Sequence, residues 1–187
     1  MNKLRVIIVC FIFFSLTASA QYVAIKSNIL YDAITVPNIG IEMSLNRHFT
    51  IDVSGNYNGW ELSDGRSLKH WMVQPELRYW PIDRFNGHFI GIHAGYMDYT
   101  FKKVKLPFGM KKDHGYDGFS YGGGISYGYQ LYLSTRWNLE FTAGVGYSYF
   151  EYDKFLFADK EAQYLGLYRT HYWGLTKVGI SIIYLIK

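Results

Sequence analysis

From residue 22 onward, apolar and polar positions alternate with a period of two, the mark of strands that present one apolar face. The last segment shows it most plainly: Val178, Ile180, Ile182, Tyr184 and Ile186 share one face, and Lys177, Gly179 and Ser181 share the other. In 138–150, Leu139, Phe141, Ala143, Val145, Tyr147 and Tyr149 oppose Glu140, Thr142, Gly144, Gly146 and Ser148. In 119–133, Tyr121, Ile125, Tyr127, Tyr129, Leu131 and Leu133 oppose Ser120, Gly122, Gly124, Ser126, Gly128 and Gln130. In 49–58, Phe49, Ile51, Val53 and Tyr57 oppose Thr50, Asp52, Ser54, Asn56 and Asn58. The pattern predicts eight strands, at about 22–31, 38–45, 49–60, 69–80, 88–101, 119–133, 138–156 and 168–187. Their connections alternate: 46–48, 81–87 and 134–137 are tight, whereas 61–68, 102–118 and 157–166 are longer, with 32–37 a short exception. Pro75 falls inside the fourth strand, where its missing N–H predicts a bulge or a weak spot.

The first twenty residues do not fit the ladder. Lys3 and Arg5 precede an apolar run from Val6 to about Leu16, and Ala18-Ser19-Ala20 follows. This is the pattern of a secretory signal peptide cleaved after Ala20, with an apolar run too short to span a bilayer. The expected division is therefore a signal peptide at 1–20 and one domain at 21–187. An exported, even-numbered ladder with short turns at one end and longer loops at the other implies an all-β, eight-stranded, antiparallel, up-and-down transmembrane β-barrel of the small outer-membrane type.

The two faces of the strands fix which way such a barrel is turned. The small and polar face is full of Gly, Ser and charges, and the other is too bulky for a narrow bore, so the polar face is expected inside. The bore then receives Lys26, Glu42, Asp52, Glu76, Arg78, Glu140 and Lys177. Eight strands leave room only for side chains, so these charges must pair, with the planar fork of Arg78 suited to bridge two carboxylates. The expectation is structural filling by ion pairs, with a narrow gated pore as the alternative.

Composition narrows the chemistry. The chain carries a net charge of +4, which falls to about +2 without Lys3 and Arg5, too mild to argue for nucleic acid. Its one cysteine, Cys10, lies in the leader, so the mature chain would hold no disulfide, thiol nucleophile or Cys-based metal site. Eighteen tyrosines and five tryptophans suit a membrane–water interface. His48, His70, His88, His93, His114 and His171 form no metal-binding spacing, and His93 reads as a satisfied interior histidine. Gly122-Gly123-Gly124 and Gly144-Val145-Gly146 lie within strands, which argues against a phosphate loop and for room beside bulky neighbours. No metal, cofactor or catalytic set is expected. Ser67, His70 and Glu61 near the outer rim carry no motif that would make them an envelope lipid-modifying enzyme. The loop at 102–118 offers a candidate external contact in Lys102, Lys103, Lys105, Phe108, Lys111 and Lys112, a basic cluster around an apolar knuckle suited to lipopolysaccharide phosphates or an acidic glycan.

The segments KSNILYDAITVPNIGIEMSL (26–45), HWMVQPELRYW (70–80), FNGHFIGIHAGY (85–96), LPFGM (106–110), GGGISYGYQ (122–130) and RWNLEFTAGVGYSYFEYDKF (136–155) resemble the domain-of-unknown-function 3575 family, Bacteroidota proteins grouped with outer-membrane β-barrels. The resemblance covers nearly all of the mature chain. It implies an outer-membrane barrel without established activity and, through neighbouring genes, a link to fimbrial or adhesin assembly. The ending Lys177-x-Gly179-x-x-Ile182-x-Tyr184 looks like the C-terminal signal read by the barrel-assembly machinery, with Ile at one aromatic site and three further residues after Tyr184. Many members carry a Cys pair in the last external loop; 157–166 has none, so no disulfide or metal role carries over.

The expectation is thus a non-enzymatic outer-membrane barrel with a structural or surface-interaction role. Its expected partners are membrane lipid and lipopolysaccharide, the barrel-assembly machinery and a fimbrial or adhesin protein. The rivals are a narrow pore, a lipid-modifying enzyme and a soluble periplasmic lipocalin-like barrel with its bulky faces inward.

Overall fold

The computed structural model describes residues 22–61, 65–104, 113–158 and 161–186. The expected leader at 1–20 and loop residues Lys105, Phe108, Lys111 and Lys112 lie outside them. Eight strands are present: β1 (Val23–Asn28), β2 (Asn38–Ser44), β3 (Phe49–Asn58), β4 (Ser67–Tyr79), β5 (Gly87–Lys102), β6 (His114–Tyr132), β7 (Trp137–Ala158) and β8 (Glu161–Ile186). Each pairs antiparallel with the next, and β1 pairs with the end of β8, from Val23↔Ile186 to Asn28↔Ser181, closing the ring. A five-residue helix, α1 (Ile29–Ala33), follows β1.

The strands lengthen steadily around the ring, through 6, 7, 10, 13, 16, 19, 22 and 26 residues. The lower ends are level and joined by short turns. One of these is held by Asn46 Oδ1, which accepts from the backbone N–H groups of His48 and Phe49 at 2.8 and 2.9 Å. The upper rim therefore climbs from β1 to β8 and drops at their seam. The lower half is a closed ring, and the upper half is a wall built mainly from β5–β8.

Side-chain alternation sorts the residues by face. Outward, Phe49, Tyr79, Tyr129, Trp137 and Tyr184 form a lower aromatic row, and Tyr57, Trp71, Tyr96, Tyr121, Tyr147 and Trp173 an upper one. Neighbours within a row touch: Phe49–Tyr79 centroids are 5.3 Å apart, Trp71–Tyr96 5.3 Å and Tyr147–Trp173 5.0 Å. Between the rows lie Ile41, Val53, Leu77, Ile92, Ile125, Val145 and Val178, all exposed. Inward, the large side chains lie across glycines of adjacent strands. A Cβ at Gly40 would stand 2.5 Å from Cγ of Lys26, one at Gly91 would strike Glu76, and one at Gly128 would strike the ring of Phe89. Glycine is thus the space that the interior side chains occupy.

Three expectations need correction, and a fourth, a bulge or a weak spot at Pro75, resolves to the weak spot. The first strand ends at Asn28 rather than near 31, because Asn28 Oδ1 accepts from the Leu30 N–H at 3.1 Å and caps α1. The loop at 102–118 narrows, since β6 already begins at His114. The segment at 157–166 is not a long loop: β7 runs to Ala158 and β8 starts at Glu161, with Phe155 and Tyr164 packed 5.5 Å apart across the ladder. Pro75 makes no bulge. The β4–β5 register is the same on both sides of it, but Gln74 and Pro75 have no paired residues on β5, while Pro75 still pairs with Val53 on β3. A residue without an N–H interrupts the ladder on one side and leaves the register intact.

Candidate functional site

The lower interior is built in layers. At the bottom, Trp80, Phe85 and Phe89 form an aromatic plug, with Trp80–Phe89 centroids 4.8 Å apart. Ala24 and Ile183 complete this small apolar core beside Phe85. Trp80 Nε1 donates to Thr50 Oγ1 at 2.9 Å, which ties the plug to the layer above.

That layer holds all seven charged residues expected in the bore. Arg78, 0% exposed, stands at its centre. Its Nε donates to Glu76 at 2.8 Å, Nη1 to Glu42 and Glu140 at 2.8 Å each, and Nη2 to Glu140 at 3.1 Å and Asp52 at 3.4 Å. Five hydrogen bonds match the five donors of the guanidinium. Lys26 Nζ lies 2.5 Å from Glu42, 3.2 Å from Asp52 and 3.4 Å from Glu140. Lys177 Nζ lies 2.7 Å from Glu76 and 3.7 Å from Asp52. Thr50 Oγ1 donates to Glu42 at 2.5 Å and Ser126 Oγ to Glu76. Each carboxylate meets at least two cations, which is what keeps ionised groups tolerable in a buried site. Below, the guanidinium rests 4.3 Å from the centroid of Phe89, so charge layer and plug are in contact.

Directly above the charges, a cavity of about 350 Å³ is lined by Asn28, Asn38, Asn56, Gln74 and Thr142 together with Lys26, Arg78 and Lys177. Asn28 and Asn38 bind each other and the β8 backbone: Asn38 Oδ1 accepts from the Asn28 N–H at 2.6 Å, and Asn28 Nδ2 donates to the Val178 carbonyl at 3.2 Å. His93 Nε2 sits 2.8 Å from Thr176 Oγ1. The arrangement can seal a bore and hold its strands in register. Among the described residues, no three His, Cys, Asp or Glu side chains gather as metal ligands.

The remaining expected residues are dispersed. Lys102 is exposed at the top of β5, and Lys103, whose N–H donates to the His114 carbonyl at 3.1 Å, places Nζ 5.3 Å above the ring of Phe157. Ser67, His70 and Glu61 make no nucleophile–base pair. His70 Nδ1 is 2.9 Å from the Leu68 carbonyl oxygen, and Ser67 Oγ has no hydrogen-bond partner among the described residues. Glu61 is bound by Lys69, whose hydrogen bond holds the exposed carboxyl below the usual range. Lys177, Gly179, Ile182 and Tyr184 all lie on the lower part of β8, with Lys177 and Gly179 facing in and Ile182 and Tyr184 facing out. Sequence reasoning missed the plug and the upper tyrosines. The signal for Phe89 and Tyr99 was present, because both share the face of Gly91, His93 and Gly95 on β5. Trp80 closes the expected strand at 69–80 on the parity of Glu76 and Arg78, so the same signal pointed it inward, although β4 itself ends at Tyr79.

A family model described as "Protein of unknown function (DUF3575)" matches residues 6–186. The chain belongs to this family. No curated protein and no solved structure matches it. The DUF3575 match spans both halves of the ring, and it includes every residue of the charge layer and the plug. For a DUF3575 chain the functional argument therefore starts from what the ring itself displays: a sealed, charged lower bore and an apolar, aromatic-bordered outside.

Proposed function

We propose that this protein is an outer-membrane β-barrel whose lower bore is a permanent plug, so that it works through the surface it presents outside the cell and not through transport. One observation carries this reading: the ring is inverted relative to a water-soluble protein. Ile92 and Ile125 on the outside are 67% and 61% exposed, while Arg78 and the four carboxylates inside are at most 2% exposed. A continuous apolar belt of this kind is far larger than monomers expose to water. The same belt bordered by two aromatic rows suits a bilayer. From Phe49 to Tyr57, and from Trp71 to Tyr79, the segments span nine residues with both rows included, which fits a tilted membrane strand of about 9–11 residues. No helix among the described residues is long and apolar enough to cross a membrane, a statement about helices only.

In this reading the leader at 1–20 directs export, and the β8 end with Lys177, Gly179, Ile182 and Tyr184 is what the barrel-assembly machinery engages. The lower turns face the periplasm. The rim with Lys102 and Lys103 faces lipopolysaccharide. The first test is fractionation followed by gel electrophoresis with and without boiling. Recovery in the outer-membrane fraction with a boiling-dependent mobility shift is expected. Recovery in the soluble periplasm without a shift overturns the reading. Planar bilayers containing the pure protein are expected to stay electrically silent, and steady single-channel steps would replace the plug with a pore.

A further inference from the structure

Above Thr176 the inner face of the tall wall shelters a second cavity, of about 620 Å³, bounded on the low side by Tyr31 of α1. That volume lies within the range of about 300–1,000 Å³ typical of small-molecule sites. Its floor is His93, Thr176 and Gln74, and its walls carry Tyr99, Tyr116, Phe150 and Tyr152. A β-bulge makes this floor. Gly144 pairs with Lys177 and Val145 with Leu175, so Thr176 is the extra residue, and its hydroxyl reaches His93.

Two polar atoms in this cavity are buried and unanswered. Tyr99 is 1% exposed, and its hydroxyl has no hydrogen-bond partner among the described residues. His93 is 3% exposed; Nε2 is on Thr176, and Nδ1 has no partner. Buried polar atoms are rarely left so, and each one calls for a reason. The charge on this face is also one-sided. Lys154 projects inward, 6.0 Å from the ring of Tyr116 and 5.2 Å from that of Tyr168, and no carboxylate among the described residues pairs with it. The acidic groups of the same strands, Asp98, Asp117, Glu151 and Asp153, occupy outward positions. There Asp117 accepts from Thr100, Glu151 from Arg169, and Asp153 from Tyr164.

We propose that this cavity binds an acidic saccharide. Tyrosine faces take the C–H faces of the sugar rings, Tyr99 and His93 exchange hydrogen bonds with their hydroxyls, and Lys154, eight residues above the level of His93 on the same wall, meets a carboxylate on a ring further along the saccharide. A hydrocarbon chain would fill the same volume but leave Tyr99 Oη and His93 Nδ1 unpaired. A neutral sugar would leave Lys154 without a counter-charge. The inference depends on the folded ring alone and not on which compartment holds it.

The test is saturation-transfer NMR on the full chain in detergent micelles. The probes are di- and trigalacturonate and di- and tri-N-acetylneuraminate, set against the neutral galactose di- and trisaccharides and octanoate. At least one acidic sugar is expected to give a signal that its neutral counterpart and octanoate do not displace. Lys154→Gln is expected to weaken that binding about tenfold, the scale of one charge-assisted contact, and to remove the preference for acid over neutral sugar. Tyr99→Phe, which keeps the ring, is expected to weaken it several-fold. Far-UV circular dichroism confirms that each variant is folded. Silence from every acidic sugar with a folded chain overturns the proposal, as does a signal indifferent to both variants or displaced by octanoate. Fractionation into the periplasm would overturn the membrane reading and leave this result standing.

Discussion

The lower and upper halves of the ring solve the same geometric problem in opposite ways. Below Thr176, eight strands enclose a bore so narrow that Lys26, Glu76 and Phe89 lie over glycines of neighbouring strands and each carboxylate meets at least two cations. Arg78 there spends all its donors on four carboxylates. Above Thr176, β1–β3 have ended at Asn28, Asn38 and Asn58, the wall is open on one side, and the inward residues are tyrosines, phenylalanines and hydroxyls. Below, the charged groups pair with one another, while Gln130 and Asn138, in closely packed surroundings, and Thr142 keep polar atoms without a partner among the described residues; above, Tyr99 Oη and His93 Nδ1 do so beside a roomy cavity. The difference separates scaffold from site: a buried network of paired charges specifies one structure, and a sheltered cavity with room beside unpaired polar atoms is where a ligand adds something.

The largest effect should come from breaking the lower half. Arg78→Met leaves Glu42, Asp52, Glu76 and Glu140 with only Lys26 and Lys177, and removing one partner of a buried ion network costs about 3–5 kcal/mol. Urea titration in micelles, read by the unboiled gel band, should show a much lower midpoint. Arg78→Lys should recover only part of the loss, since it keeps the charge and gives up the fork. An unchanged midpoint for Arg78→Met would mean that the network does not hold the ring.

Next in size is the effect that locates the membrane. Ile125→Arg, in the middle of the outer apolar belt, should cost about 2–4 kcal/mol in lipid vesicles, the cost of an arginine at the bilayer midplane. Leu167→Arg lies equally outward on the upper wall and should stay within about 0.5 kcal/mol. Equal effects in vesicles would contradict the placement of the belt in lipid.

How far these halves could be read from the chain follows from where the period of two persists. It is unbroken through 38–58 and 177–186, and there the inward charges and the outward isoleucines could be assigned residue by residue. It breaks twice on β8. The extra residue Thr176 shifts the register, so that Tyr172, Thr170 and Tyr168 face inward where the parity of Lys177 and Gly179 would turn them out, and the extra residue Leu165 shifts it back beyond them. That is why the last hairpin looked like a loop and why the upper cavity was invisible. Trp80 keeps the inward parity of Glu76 and Arg78, but its partners in the plug could not be assigned, because Phe85 and Phe89 come from beyond the turn. α1 could not, because a single Asn28 side chain decides between one more strand turn and a helix. The cavity itself joins Tyr31, His93, Tyr99 and Lys154 from four separate elements, a grouping that only the closed ring brings about.

A smaller substitution separates the halves with the same chemistry. Gly128→Ala puts a Cβ into the ring of Phe89, beside the Phe141 carbonyl oxygen at 2.8 Å, and should cost about 1–3 kcal/mol through overpacking. Gly95→Ala, on the floor of the upper half, meets nothing nearer than Gln74 Nε2 at 3.6 Å and should be neutral within about 0.5 kcal/mol. Paired urea midpoints decide it, and equal losses would mean that the upper half is packed as tightly as the lower.

The finest contrast is between two buried hydroxyls. Thr50 Oγ1 donates to Glu42 and accepts from Trp80 Nε1, so Thr50→Val removes two hydrogen bonds and leaves both partners buried. Its expected cost is about 1–3 kcal/mol. Tyr99→Phe removes a hydroxyl that bonds to nothing described, and the ring keeps its stack on Phe101 at 4.8 Å. Stability should hold or rise slightly, because a buried donor without a partner is a cost that the phenylalanine does not carry. A hydroxyl that the fold does not need, on the wall of a sheltered cavity, is open to a ligand. If Tyr99→Phe instead lowers the urea midpoint as much as Thr50→Val, the hydroxyl is bonded within the protein and the two halves differ in shape alone.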